Sequence, residues 1–217
     1  MKFPFNRYIL AEIIIVFSTI FYAFLWDRDT LSDLIIFSFL TVLLYFGAAK
    51  VGLTPPKTKA WSTLEKKLII TSLWLIGIAW AYGFWTQKTS LENCIIALNI
   101  SFVYVYYAFV QHFLAQKYLS LRLYTLIQKW GIESLKVHAV VYTALISAFL
   151  FAALHINYPH LIVFAAVAGF LYAYYFLSTG RLYTIVVSHA FVASSHLYWL
   201  LDDNPFTELM WILDYFK

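Results

Sequence analysis

The chain has 217 residues, is 63% hydrophobic and 21% aromatic, and is only 12% charged, where a soluble domain carries about 25%. This excludes a water-soluble globular domain, and the apolar segments are too long and too many for a signal peptide ahead of one. One cysteine, Cys94, excludes an internal disulfide framework and a cysteine-based zinc site, and the formal charge of +4 follows the pattern of membrane topology, so no nucleic-acid partner is expected.

A transmembrane helix needs about 20 mostly apolar residues. In chain order, that rule predicts spans at 8–26, 31–51, 67–86, 93–116, 137–155, 161–177 and 182–201. The tail 205–217 is too short and too acidic to span and reads as an interfacial or short eighth helix. The expected fold is therefore an all-α polytopic membrane helix bundle of seven to eight helices, with membrane lipid as a partner. Twelve of the fifteen Lys and Arg residues fall on one side of this arrangement: at the N-terminus, in loop 50–67, in linker 117–136 and at Arg181. Basic loops stay cytoplasmic, which puts the N-terminus there.

Local signals fill in the frame. Glu12 is the one acid well inside an expected span, one turn after Arg7, and reads as an interfacial pair with it. Pro55-Pro56 marks a loop. Gly180 fits a helix C-cap, and Gly169 with Ala173 forms a small-residue stripe that lets two helices approach. Trp26, Trp61, Trp85, Trp130, Trp199 and Trp211 fall near expected helix ends and read as an interfacial aromatic belt.

The polar residues inside apolar segments are the functional candidates, because ionisable side chains there are costly. His138 and His160 sit at segment ends and read as interfacial. His112, His155 and His189 lie within or at the ends of apolar runs, and His196 shares a helix face with His189. Ser188, Ser194 and Ser195 add hydroxyls nearby. Gln111-His112, in the run VYVYYAFVQHFLAQ, is expected to face the bundle interior, with Gln116 just beyond. Three chemistries are open to such histidines: a metal site, orientation of water and an oxyanion in hydrolysis, or hydrogen bonding between helices. There is no nucleophile elbow, Gly-rich phosphate loop, HExxH or CxxC.

Two blocks occur in a telling order. FLFAALH places Phe151 four residues before His155, and LSTGRLYTIVVSHAFVAS carries a T-G turn followed by a helix with His189, 34 residues after His155. Together they resemble the FxxxH motif and the third block, HxxxN or HxxxD, of the CPBP family, the CAAX-protease and bacteriocin-processing (Abi) intramembrane proteases. QHFLAQKYLSLRL falls where that family's first motif, EExxxR, stands. The resemblance covers about residues 105–198. It implies a core over 91–204, preceded by transmembrane helices over 1–90 and followed by the tail 205–217.

The resemblance implies an endopeptidase whose first-motif glutamate activates water while the histidines position it and stabilise the oxyanion. This chain departs from the pattern at four places: Gln111 and His112 stand for the glutamates, Gln116 for the arginine and Ala193 for the final Asn or Asp. An amide has no group that titrates near neutral pH and cannot act as a base. The candidate catalytic set is therefore His155, His189, His112 and Gln111, supported by Phe151, Gln116 and Ala193, with His112 as the substitute base and no cofactor. The alternative is a three-histidine zinc site on His112, His155 and His189. The functional expectations are an intramembrane peptide hydrolase acting on a membrane-associated or prenylated peptide, an inactive pseudoprotease that binds such a peptide or acts as an immunity-type protein, or a small-solute transporter, which the lack of an internal repeat disfavours. By family analogy the membrane is a bacterial inner membrane.

One tension is internal to this reading. With straight helices ending at the expected boundaries, Gln111 and His189 lie near one membrane face while His155 is carried about 27 Å across.

Overall fold

The computed structural model describes residues 63–86, 88–129, 136–156 and 159–201, together with 18, 35–36 and 38–42. All the elements described are helices: α1 (Thr63–Trp85), α2 (Leu91–His112), a π-helical segment (Phe113–Ser120), α3 (Leu121–Lys129), α4 (Ala139–Ala153), α5 (Pro159–Thr179) and α6 (Leu182–Leu200). The readings placed on Glu12, Pro55-Pro56, Trp26, Trp61, Trp130, Trp211, the tail 205–217 and most of spans 8–26 and 31–51 lie outside the described residues.

Three helical runs among the described residues are long and apolar enough to cross a membrane: Thr63–Trp85, Leu91–Lys129 and Leu161–Thr179. Their outer faces carry large apolar side chains, with Trp74 70%, Phe102 66% and Val163 73% exposed, a distribution suited to lipid rather than water. The chain is an integral membrane helix bundle.

The second run departs from the expected boundaries. A loop was expected over 117–136, on the strength of its Lys and Arg residues, but the helix that starts at Leu91 continues through the π-helical segment to Lys129, 39 residues in all. Long basic side chains can reach a polar boundary from a helix, so charge alone does not end one. His112 consequently lies inside a continuous helical run, with about 26 Å of helix beyond it. The span expected at 137–155 is instead the 15-residue α4, followed by a turn that holds His155.

Local sequence explains the ends. Ser90 caps α2, its side chain accepting from Asn93 N at 3.0 Å. Gly180 closes α5 at φ 71°, where a glycine meets no Cβ penalty, and its N–H donates to Phe176 O at 2.7 Å.

Helices in lipid associate by close packing and hydrogen bonds rather than by burial from water. The α4–α5 pair shows this most clearly. Ala144, Ala148 and Ala152 on α4 and Ala165, Gly169 and Ala173 on α5 are all buried at four-residue spacing. A Cβ on Gly169 would lie 3.2 Å from both Ala148 Cα and Phe151 Cβ, so the expected small-residue stripe sits at a tight crossing. The packing of α6 is broader, since α1, α2 and α5 all lie against it.

Contacts fix the directions. Glu65–Arg181, Ser72–Ser188 and Trp80–Ser195 are separated by 116, 116 and 115 residues, so α1 and α6 run parallel. Ser101–Ser194 and His112–His189, at 93 and 77 residues, make α2 antiparallel to α6. Trp199 was expected in an interfacial belt, but it is 1% exposed: its ring lies 5.2 Å from that of Trp80 and covers Gly83, where a Cβ would come within 2.5 Å of it. Glycine at position 83 makes room for the indole, and proximity to a helix end did not reveal that. Trp85, also expected in the belt, is 87% exposed at the end of α1.

Candidate functional site

The site forms where α2, α4, α5 and α6 meet. His112 closes α2 just before the π-helical segment, a kind of distortion frequent at functional positions. His189 enters from the second turn of α6. His155 comes from the turn after α4, where its Nδ1 is 2.9 Å from Phe151 O. A carbonyl can only accept, so His155 Nδ1 carries the proton.

The ring of Phe151 organises the three. Its centroid lies 6.2 Å from that of His112, 5.0 Å from His155 and 6.2 Å from His189. The separation implied by straight helices and expected ends is therefore absent. The long α2 run does not stop at residue 116, which places His112 well inside the bundle, and the short α4 delivers Phe151 beside it.

His112 Nε2 and His189 Nδ1 are 2.7 Å apart and share one proton-mediated contact. His112 is fully buried and its Nδ1 has no hydrogen-bond partner within the described residues, while His189 is 9% exposed. Aromatic rings close the surroundings. Tyr172 meets His112 edge-on at 5.0 Å and stacks on His189 at 5.7 Å, and Tyr104 packs against His189 at 5.7 Å.

The remaining candidates fall nearby in different roles. Gln111 is half-buried, and its buried Oε1 also lacks a hydrogen-bond partner within the described residues. Gln116 is 1% exposed and its Oε1 lies 2.9 Å from Ser120 Oγ, which is also 2.8 Å from Ala115 O and 2.9 Å from Ser147 Oγ of α4. Ala193 is buried one turn beyond His189 and brings no polar atom. His196 faces α5 as His189 does, with its ring 5.7 Å from Phe164, but its Nδ1 is 2.8 Å from Val192 O of its own helix.

A three-histidine zinc site does not fit these residues. Two nitrogens on one tetrahedral zinc stand roughly 3.3 Å apart, given Zn–N bonds of about 2.0–2.1 Å. The His112–His189 separation of 2.7 Å is a direct hydrogen bond, and among the described residues no group of three or more His, Cys, Asp or Glu is placed to hold a metal.

Three residues escaped the sequence reading. Tyr172 touches both histidines, yet in a chain with 17 tyrosines the run AGFLYAYYF gives nothing to single it out. Glu65 was assigned to a loop. It is 2% exposed in the first turn of α1 and holds Arg181 through contacts of 2.9 and 2.8 Å, with Thr184 donating at 3.1 Å. Ser72 of α1 meets Ser188, the neighbour of His189, at 2.6 Å.

Comparison with known proteins finds one family for the segment that carries the cluster. Residues 93–195 match the family described as type II CAAX prenyl endopeptidase Rce1-like. That stretch starts in α2, ends in α6 and contains every histidine of the cluster. No curated protein and no solved structure matches the chain. The stretch 93–195 thus matches the CAAX-protease (CPBP) family of membrane proteins that the sequence blocks resemble.

Proposed function

We propose that this chain is a CAAX-type intramembrane endopeptidase that hydrolyses a peptide bond with histidine in place of the family's glutamate. The observation that carries the reading is the His112 Nε2–His189 Nδ1 hydrogen bond of 2.7 Å, with His112 Nδ1 buried and unpartnered among the described residues.

One choice of tautomers gives each imidazole a task. With the shared proton on His112 Nε2, His112 Nδ1 keeps its lone pair and His189 carries its proton on Nε2. His112 Nδ1 takes a proton from water, and the resulting hydroxide attacks the scissile carbonyl carbon. His189 Nε2–H donates to the oxyanion that forms. His155, protonated at Nδ1 by its bond to Phe151 O, offers Nε2 to orient the water's second hydrogen. The proton held on His112 then passes to the leaving amine as the C–N bond breaks. The substrate class is a membrane-associated peptide, including one with a prenylated cysteine. Lys66, Lys67, Lys117, Arg122, Lys129, Lys136 and Arg181 all lie toward one end of the bundle, and Lys88 lies at the other. By the positive-inside rule the first end is cytoplasmic, and the two spans expected from sequence at 8–26 and 31–51 would put the N-terminus on the same side.

A second reading, a pseudoprotease that holds such a peptide without cutting it, is favoured by the complete burial of His112, which leaves water no direct approach to it. The deciding experiment is cleavage of fluorogenic peptides, prenylated and unprenylated, by the protein reconstituted in liposomes. His112→Ala is expected to lower kcat by about 10²–10⁴, the range for loss of a general base. Equal rates for the wild type and His112→Ala would refute the base assignment. Tight peptide binding by the wild type with no cleavage would select the pseudoprotease.

A further inference from the structure

We propose that Tyr172 is the positioning residue for the imidazole pair, and that helix α1, outside the matched segment, completes its support. The inference rests on the reading of His112 and His189 as the working pair, but it makes a claim of its own about what holds them.

An imidazole makes a directed hydrogen bond only in the plane of its ring, so the His112–His189 contact requires both planes to be set. The two planes stand 70° apart. Each is held by one near-parallel ring: Phe151 lies 17° from the plane of His112, and Tyr172 lies 29° from that of His189. Tyr172 also meets His112 edge-on, at 83°. It therefore wedges the pair from α5 as Phe151 does from α4, and it has a hydroxyl that Phe151 lacks.

Proton counting gives that hydroxyl a direction. Ser72 Oγ donates to Leu68 O at 2.8 Å, which uses its only hydrogen. In the 2.6 Å contact between Ser72 and Ser188, Ser188 must then be the donor. Ser188, its hydrogen spent, can only accept from Tyr172 OH, 3.4 Å away. The chain runs Tyr172 to Ser188 to Ser72 to a backbone carbonyl of α1. The phenolic proton is thereby drawn toward α1 and not offered to the histidines. Tyr172 acts on the pair through its ring, as a clamp whose outer end is tied down. The two serines sit in a parallel helix pair whose register is held one end further by Glu65 and Arg181.

The test reads the imidazoles directly. The full-length protein, labelled with ¹⁵N-histidine and reconstituted in liposomes, should show a bridging N–H···N resonance that disappears in His112→Ala and in His189→Ala. Tyr172→Phe keeps the ring but loses the tie, and is expected to keep the resonance with faster exchange of the bridging proton. Tyr172→Leu, with helicity and melting temperature monitored, is expected to lose it. A folded Tyr172→Leu variant with the resonance unchanged would overturn the proposal. If Tyr172→Leu does not fold, Ser72→Ala/Ser188→Ala unties the clamp without opening a cavity beside the histidines. Faster exchange of the bridging proton than in the wild type is then expected, and unchanged exchange refutes the role of α1. No substrate is needed: a wild type that never cleaves peptides defeats the hydrolase reading alone, and an unmoved resonance defeats the clamp alone.

Discussion

His112 and His155 are both imidazoles of one cluster, but their burial differs and so should the consequences of losing their neighbours. His112 is fully buried, with Nε2 committed to His189, whereas His155 is half-buried in a turn and bonded to the carbonyl of Phe151. His189→Ala strands a buried polar atom, which typically destabilises by about 1–3 kcal/mol. His155→Ala removes a side chain from a turn and is expected to cost under about 1 kcal/mol. Thermal unfolding of the two variants in detergent checks this order. A larger loss for His155→Ala would mean that the turn, not the His112–His189 bond, holds the cluster together.

At the scale of elements, the seam between α1 and α6 joins a helix outside the matched segment to one that lies mostly within it. It carries the Glu65–Arg181 pair, the Ser72–Ser188 contact and the Trp199 ring over Gly83. The ion pair is largely out of water, with the Glu65 side chain 3% and the Arg181 side chain 25% exposed. Removing one partner of a buried pair leaves an uncompensated charge and costs about 3–5 kcal/mol, while replacing both by apolar groups is often near neutral. Arg181→Met is accordingly expected to destabilise strongly, and Glu65→Leu/Arg181→Met to recover most of the loss. Equal melting temperatures for Arg181→Met and the wild type would show that the pair contributes little to the seam.

At the scale of the whole molecule, parallel α1 and α6 with antiparallel α2 put Thr63, Leu182 and the basic residues of 117–136 toward one end, and Trp85, Lys88 and Leu200 toward the other. Single cysteines introduced by Lys88→Cys and Lys129→Cys in a Cys94→Ser background are therefore expected to react with an impermeant thiol reagent from opposite faces of sealed vesicles. Labelling of both from the same face would show that the long Leu91–Lys129 run does not cross the membrane. The direction of the labelling also tests the cytoplasmic assignment of the basic end.

The sequence by itself determined the class and much of the cast. Apolar composition and span length gave an all-α membrane bundle, and the blocks around Phe151, His155 and His189 pointed to the CPBP family. Buried imidazoles in apolar segments stood out because they are costly there. Gly180 was legible as a cap because a single backbone angle demands it. The continuation of the helix past Gln116 was not legible, since Lys117 and Arg122 read equally well as loop or as helix at a polar boundary. The tertiary structure alone decided which side chains meet. Helix length and packing brought His112 to His189, burial turned Trp199 inward over Gly83, and packing singled out Tyr172 among many tyrosines. Residues 68, 72, 172 and 188 form one hydrogen-bonded line although they come from three helices. Their pairing depends on how those helices cross, and a linear pattern of apolar and polar residues does not encode that.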